Sequence, residues 1–177
     1  MERLTLDTNL LQEYWRDQAK RDVVQQLLDF AKTGGAELVV TARIGEDIPG
    51  GELAERLREL PDIGIGQIGS VTRLNSWVPG RDMLGSDTFI ALQEQADAEL
   101  LRRGRASVPD WRDWDHVHAH FLKRRDVFLT WDKRLTEGIG ILGKHLPIKA
   151  MSPETYLTSR QMAADLMDSV GRAGEDS

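Results

Sequence analysis

Acids follow apolar runs at several points in this chain, and the runs end in a similar way. Asp7 comes directly after Arg-Leu-Thr-Leu at 3–6, and Glu46 and Asp47 stand about one helical turn past Thr41, which ends AELVV. Asp115 falls in the first turn of a helix expected from Asp113 to Arg124, and Asp132 follows DVFLT, which ends at Thr130. Three or four carboxylates within about 5–8 Å repel one another by several kcal/mol at intermediate dielectric. Without compensation their pKa values rise until some become neutral. Hard divalent cations, Mg²⁺ or Mn²⁺, relieve such repulsion and prefer all-oxygen ligands. A carboxylate-bound pair of these ions suits in-line phosphodiester hydrolysis, one activating water and the other stabilising the leaving oxygen. Asp7 is then a metal ligand, with Thr8 and Asn9 holding its loop by hydrogen bonds. Each acid also has a plainer use: Asp113 as a helix N-cap, Asp115 as a favourable charge at the positive helix end, Asp7 and Asp132 as turn residues. Only the joint arrangement points to chemistry.

That arrangement needs elements to build it. Residues 3–6 read as a strand, 9–15 and 18–32 carry apolar residues at helical spacing, and Thr33-Gly34-Gly35 stops them. AELVV at 36–40 is a buried strand, and 51–60 a small amphipathic helix closed by Pro61. The stretch 62–80 alternates apolar residues with Gly and polar ones and reads as extended edge or loop structure. A helix is expected over 86–103, another over 113–124, then the strand DVFLT, a helix over 133–143, a short strand PIKAM, and a last helix opened by Pro153 with Ser152 as cap. Strands alternating with helices predict a mostly parallel sheet covered on both faces. In such sheets the site lies beyond the carboxyl ends of the strands. A helix from Asp113 to Arg124 descends about 16 Å at 1.5 Å per residue. The strand after it climbs back by about the same distance at 3.3 Å per residue. Asp115 therefore returns to the level of Asp132, and all the acids lie at one edge.

The 177 residues suffice for one domain with a sizeable core. We expect it over 1–160, with 62–110 an inserted or elaborated region and 161–177 a helical end and an irregular tail. At 40% hydrophobic and 29% charged the chain reads as globular, and no apolar run reaches the length of a membrane span. A strand-like run begins almost at once, leaving no room for a signal peptide. The absence of Cys removes disulfides and thiolate zinc sites, so the expected location is the cytoplasm. A net charge of −6 argues against coating nucleic acid by bulk attraction, but an enzyme of nucleic acid with a carboxylate cluster is itself acidic.

Asp7-Thr8-Asn9 after the first strand, an acid after the second, Asp115 opening a helix and LTWD ending at Asp132 resemble the PIN-domain nucleases. The resemblance runs from residue 3 to about 157, with 50–110 poorly matched. It implies a three-layer α/β/α fold and Mg²⁺- or Mn²⁺-dependent cleavage, usually of RNA. It places Asp7, Asp115 and Asp132 at metal-binding positions and Thr130 as the hydroxyl beside the fourth acid. Many members of the family are the toxin of a toxin–antitoxin pair, so an antitoxin protein and a homodimer are the partners implied. The second acid is Glu46 or Asp47.

Other readings stand beside this one. His116 and His120 are a helical turn apart, which is metal-ligand spacing, but they read as packing or hydrogen-bonding residues. Trp111, Trp114 and Trp131 flank the acidic edge and are packing residues or base-stacking platforms. Arg102, Arg103 and Arg105 are a solvated face or a contact to the phosphate backbone. A phosphohydrolase of the aspartyl-phosphate type also begins with an Asp after its first strand, but it needs an acid where Asn9 stands. A non-catalytic module binding nucleic acid or protein is the rival from outside enzymology. RNA is the expected substrate, and the chemistry would serve DNA equally.

Overall fold

In the computed structural model the described residues are 1–47, 55–72 and 82–175, without the side chains of Glu46, Thr72, 82–84 and 168–175. Strand β1 (Glu2–Leu6) leads into α1 (Thr8–Arg16) and α2 (Gln18–Lys32). Asp17 separates the helices and caps the second by accepting from the Ala19 and Lys20 amides. Gly34, at φ +81°, turns the chain out of α2 as a left-handed residue after a helix commonly does. Then come β2 (Ala36–Thr41), the single turn α3 (Ile44–Asp47), a 3-10 turn (Leu57–Glu59), β3 (Ile65–Ile68), β4 (Ser70–Thr72) and β5 (Asp82–Leu84). Helices α4 (Asp87–Arg102) and α5 (Trp111–Leu122), strand β6 (Val127–Leu129), α6 (Lys133–Leu142), β7 (Ala150–Met151) and α7 (Pro153–Glu175) complete the order.

Five strands form one sheet in the order β3-β2-β1-β6-β7, every pair parallel. Period-two alternation divides their side chains between two cores. Leu4, Leu6, Leu38, Val40, Val127 and Leu129 face a core closed by Leu10 and Leu11 of α1, Val24, Leu27 and Leu28 of α2, and Tyr156 of α7. Phe128 faces the other, built from Phe89, Ala96 and Leu100 of α4, Trp114 and Val117 of α5, and Leu135, Ile139 and Leu142 of α6. The architecture is α/β with helices on both faces of a parallel sheet.

Several boundaries differ from expectation. Ile65–Ile68, expected within an elaborated region, is an edge strand of the main sheet, in register with Leu38–Thr41. β4 and β5 form a separate parallel pair against α5. Of the helix expected over 51–60, only its last turns fall within the described residues. α5 starts two residues earlier than expected, because Asp110 is its N-cap. The Asp110 side chain accepts from the Arg112 amide at 2.6 Å, and Asp113 accepts from the Asp110 amide at 3.0 Å, a capping box. The backbone of α7 stays helical to Glu175, into the stretch expected to be an irregular tail, where no proline interrupts it.

Candidate active site

β1 and β6 are neighbours at the centre of the sheet. From β1 the chain leaves toward β2, and from β6 toward β7, so their carboxyl ends part over a crevice, the usual ligand position in open α/β sheets. Asp7 stands there at the N-cap position of α1, yet its side chain makes no capping bond. The buried carboxylate turns instead to β6, where Thr130 Oγ1 donates to Asp7 Oδ2 at 2.5 Å. The same hydroxyl accepts from Asn9 Nδ2 at 3.3 Å and from the Asp132 amide at 2.9 Å. One threonine therefore ties the loops after β1 and β6 together. Asn9 Oδ1 is buried and has no hydrogen-bond partner.

Asp47 approaches from the second strand. Its Oδ2 accepts from Thr8 Oγ1 at 3.0 Å and is 2.5 Å from His116 Nε2. The other ring nitrogen, Nδ1, bonds Thr41 Oγ1 at the end of β2. His116 is thus buried between two segments of the second crossover, in a hydrogen-bonding role, and a second sheet-facing histidine, His120, is bonded through Nδ1 to Thr5 Oγ1 at 2.9 Å. His118 faces away from the sheet, stacked on Phe89 and accepting from the Ser86 amide. Of the two acids weighed for this strand, Asp47 enters the crevice, and the side chain of Glu46 lies outside the described residues.

Helix α5 supplies a different acid from the one expected. Residues 113 and 115 are about 200° apart at 3.6 residues per turn, so they point to nearly opposite sides. Asp113 shares the sheet-edge stripe of His116 and His120 (i, i+3, i+7) and lines the crevice. Asp115 turns away to a buried ion pair with Arg43, whose Nη1 also donates to the Val71 carbonyl of β4 at 3.3 Å. Asp115, expected at the acidic edge, is thus engaged with Arg43 and does not line the crevice. Arg43 itself carried no sequence signal, since its partners are 28 and 72 residues away.

Asp132 reaches the crevice wall, but as the N-cap of α6. Its Oδ1 accepts from the Arg134 and Leu135 amides at 2.8 and 3.3 Å, and Arg134 Nη2 donates to Oδ2 at 2.7 Å. The crevice, about 280 Å³, is lined by Asp7, Asp47, Asp110, Asp113 and Asp132 together with Arg112 and Arg134. The arginines and tryptophan singled out for nucleic acid lie elsewhere. Arg102 and Arg103 pair with Glu99 and Arg105 with Glu137, while Trp131 donates to Glu154 beneath the Lys20 ammonium. Trp114 is core, and half-exposed Trp111 has the Arg43 and Arg112 guanidiniums over its ring.

The acids divide electrostatically into two pairs. Burial opposes ionisation of Asp47, but its bond and charge pairing with His116 outweigh burial and hold it below the usual carboxylate range. His116 responds in the opposite sense: burial lowers it, Asp47 more than compensates, and the net shift is upward. Asp132 is likewise desolvated yet held down by Arg134. The other pair is uncompensated. Burial raises Asp7, with the Asp132 charge adding to it, against the pull of His116 and Thr130. Burial and then the Asp7 charge push Asp113 up to about 6.

Two carboxylates that repel one another beside an unpartnered amide oxygen suit a hard divalent cation that keeps several waters, the usual state of protein-bound Mg²⁺. Among the described residues no three His, Asp or Glu side chains stand close enough to enclose an ion by themselves.

No protein-family model and no curated sequence matches this chain. Among solved structures it is similar to the crystal structure of VapBC2 from Rickettsia felis bound to a DNA fragment from their promoter, with a TM-score of 0.46, 10% sequence identity, and coverage of 85% of this chain and 98% of that one. That degree of likeness is one of outline and says nothing of activity. Among the described residues no helix is long and apolar enough to cross a membrane.

Proposed function

We propose that this chain is a divalent-metal-dependent nuclease of the PIN type that hydrolyses phosphodiester bonds, with RNA as its substrate. The observation that carries the reading is the lining of the switch-point crevice. Asp7 and Asp113 arrive there from segments more than a hundred residues apart and share the lining with Asn9, whose buried Oδ1 has no partner among the described residues, and with Arg112 and Arg134. Acids beside arginines are what a metal-assisted reaction on a phosphate requires, since carboxylates hold the cation and guanidiniums hold the phosphate oxygens. Mg²⁺ or Mn²⁺ bound there would neutralise charge on the phosphate and acidify a water. Asp7 and Asp113, with Asn9, would hold it. Thr130 orients Asp7 through its 2.5 Å bond, and Arg112 and Arg134 orient the phosphate. Asp47, charged because His116 backs it, orients the attacking water. Displacement by water in line with the leaving oxygen needs no covalent bond to the protein.

The test is cleavage of end-labelled total RNA and single-stranded DNA in Mn²⁺, Mg²⁺ or EDTA by the wild type and by Asp7→Asn and Asp113→Asn proteins. Metal-dependent products that fall by about a hundredfold or more in both variants are expected, a loss typical of removing groups that act in the chemical step. RNA cut in preference to DNA would fix the substrate class. An Asp113→Asn protein as active as wild type would remove the role given to Asp113. Wild-type protein that binds RNA but cuts nothing would leave the non-catalytic module. Arrest of growth on expression, relieved by Asp7→Asn, is the sign of a toxin and hence of an antitoxin partner.

A further inference from the structure

His116 lies behind the crevice and does not line it, so it cannot touch a substrate, yet from α5 it meets the segments that follow β1 and β2. It sits on α5 one turn after Asp113, is buried, bonds Thr41 at the end of β2 through Nδ1, and stands 2.5 Å from Asp47 through Nε2. Thr8, next to Asp7, comes within 3.5 Å of the same nitrogen and donates to the same Asp47 oxygen. Both side-chain contacts to Asp47, from Thr8 and from His116, fall on Oδ2, and no described residue bonds Oδ1. A short helix such as α3 (Ile44–Asp47) holds a side chain poorly by itself, because one turn of helix makes almost none of its own hydrogen bonds. The imidazole supplies the missing constraint.

From this geometry we infer that His116 is the positioning residue of the site, clamping Asp47 by one oxygen so that the other is presented to the crevice in line with Asp7 and Asp113. The inference rests on the nuclease reading above. Groups that orient a reacting side chain in this way commonly change rate by 10- to 100-fold when removed, as outer-shell partners of metal ligands do. The two ring nitrogens have separate duties, and that makes the role separable from packing. A glutamine amide nitrogen reaches where Nε2 stood and can still donate to Asp47. An asparagine amide reaches only where Nδ1 stood and keeps Thr41 but drops Asp47.

The experiment compares His116→Gln and His116→Asn for kcat and KM on a labelled RNA with Mn²⁺, alongside the low-field proton spectrum of wild type and Asp47→Asn in water. Expected are a kcat lower by about 10- to 100-fold in His116→Asn with KM within about twofold, and a kcat within about threefold of wild type in His116→Gln. A low-field imidazole N–H resonance present in wild type and missing in Asp47→Asn is expected as well. Equal losses in the two variants would assign His116 to packing and overturn the inference, as would a wild-type spectrum without that resonance. If the resonance is there but wild type cuts no RNA, the nuclease reading falls, and the catalytic meaning of the clamp falls with it. Cleavage at the wild-type rate in His116→Asn overturns the clamp alone.

Discussion

Asp113 should make the protein less stable at neutral pH than it need be, and Asp113→Asn measures by how much. Burial and the neighbouring Asp7 raise its pKa from 3.8 to about 6. A shift of roughly two units, at 1.36 kcal/mol each, corresponds to about 3 kcal/mol carried by the native state once the group is ionised. Between pH 3.8 and 6 the folded chain binds more protons than the unfolded one, so stability falls by that amount as pH climbs through the window. The bond accepted from the Asp110 amide at 3.0 Å is already within that shift, but the charge also sits in the first turn of α5. That place at the positive helix end is worth about 1 kcal/mol. Asp113→Asn should therefore be more stable than wild type by about 1–2 kcal/mol at pH 7.5 and no more stable than wild type near pH 4. Urea unfolding followed by tryptophan fluorescence, in EDTA at both pH values, gives the two differences. A variant less stable than wild type at pH 7.5, or a difference that does not change with pH, would refute the crowding of Asp7 and Asp113. Added Mn²⁺ should raise the midpoint of wild type, by mass action on the folded state, and leave that of the variant nearly unchanged.

Three further outcomes follow from neighbouring residues. Asp115→Ala, which takes from the buried Arg43 guanidinium its buried carboxylate, should cost about 3 kcal/mol in urea unfolding, whereas a ligand at the crevice edge would cost little. His120 is fully buried beside Thr5, and burial, with the Arg125 charge, pushes its pKa down to about 4. Its neutral ring contributes stability that is whole above pH 6.5 and drains as pH falls toward 4, about 3 kcal/mol at the acid end, and His120→Gln should flatten that limb of the stability–pH curve. Gly138→Ala would place a methyl 2.6 Å from Trp114 Cη2, on a ring only 1% exposed, and should lower stability by about 1–3 kcal/mol in thermal unfolding.

What the sequence could reveal followed the reach of each signal. The alternation of strands and helices was legible because apolar runs such as Leu38–Val40 and Val127–Leu129 are bounded by Gly, Thr and Asp. The polarity of the sheet then placed Asp7 and Thr130 at one edge without coordinates. Along a helix, length arguments give height, and they put the start of α5 at the right level. They do not give azimuth. The stripe Asp113, His116, His120 could have supplied it, since one face of α5 had to meet the sheet and only that set joins the crevice to β1 and β2. For Asp132 the plain reading as a cap and the reading as a crevice residue both describe the same carboxylate. The alternation over 62–80 showed extended edge structure there, as β3 is, but not its register, and the pairings of Arg43, β4 and β5 were beyond reach because each depends on a partner distant in the chain.

The order of the sheet bears on when this molecule could act as it is made. β1 precedes the other strands in the sequence and lies in the middle, but one of its two neighbours, β6, is separated from it by some 120 residues. Until Val127–Leu129 has emerged, one edge of Leu4–Leu6 has no strand to pair with, which is the kind of edge that recruits other chains. The bond from Thr130 to Asp7 lies just beyond that pairing and ties the two loops at the crevice. A chain that has not yet reached Thr130 would thus hold Asp7, Asp47 and Asp113 without it. Pairing across so long a loop is slow. On the nuclease reading proposed above, the crevice is assembled only after β6 has paired with β1.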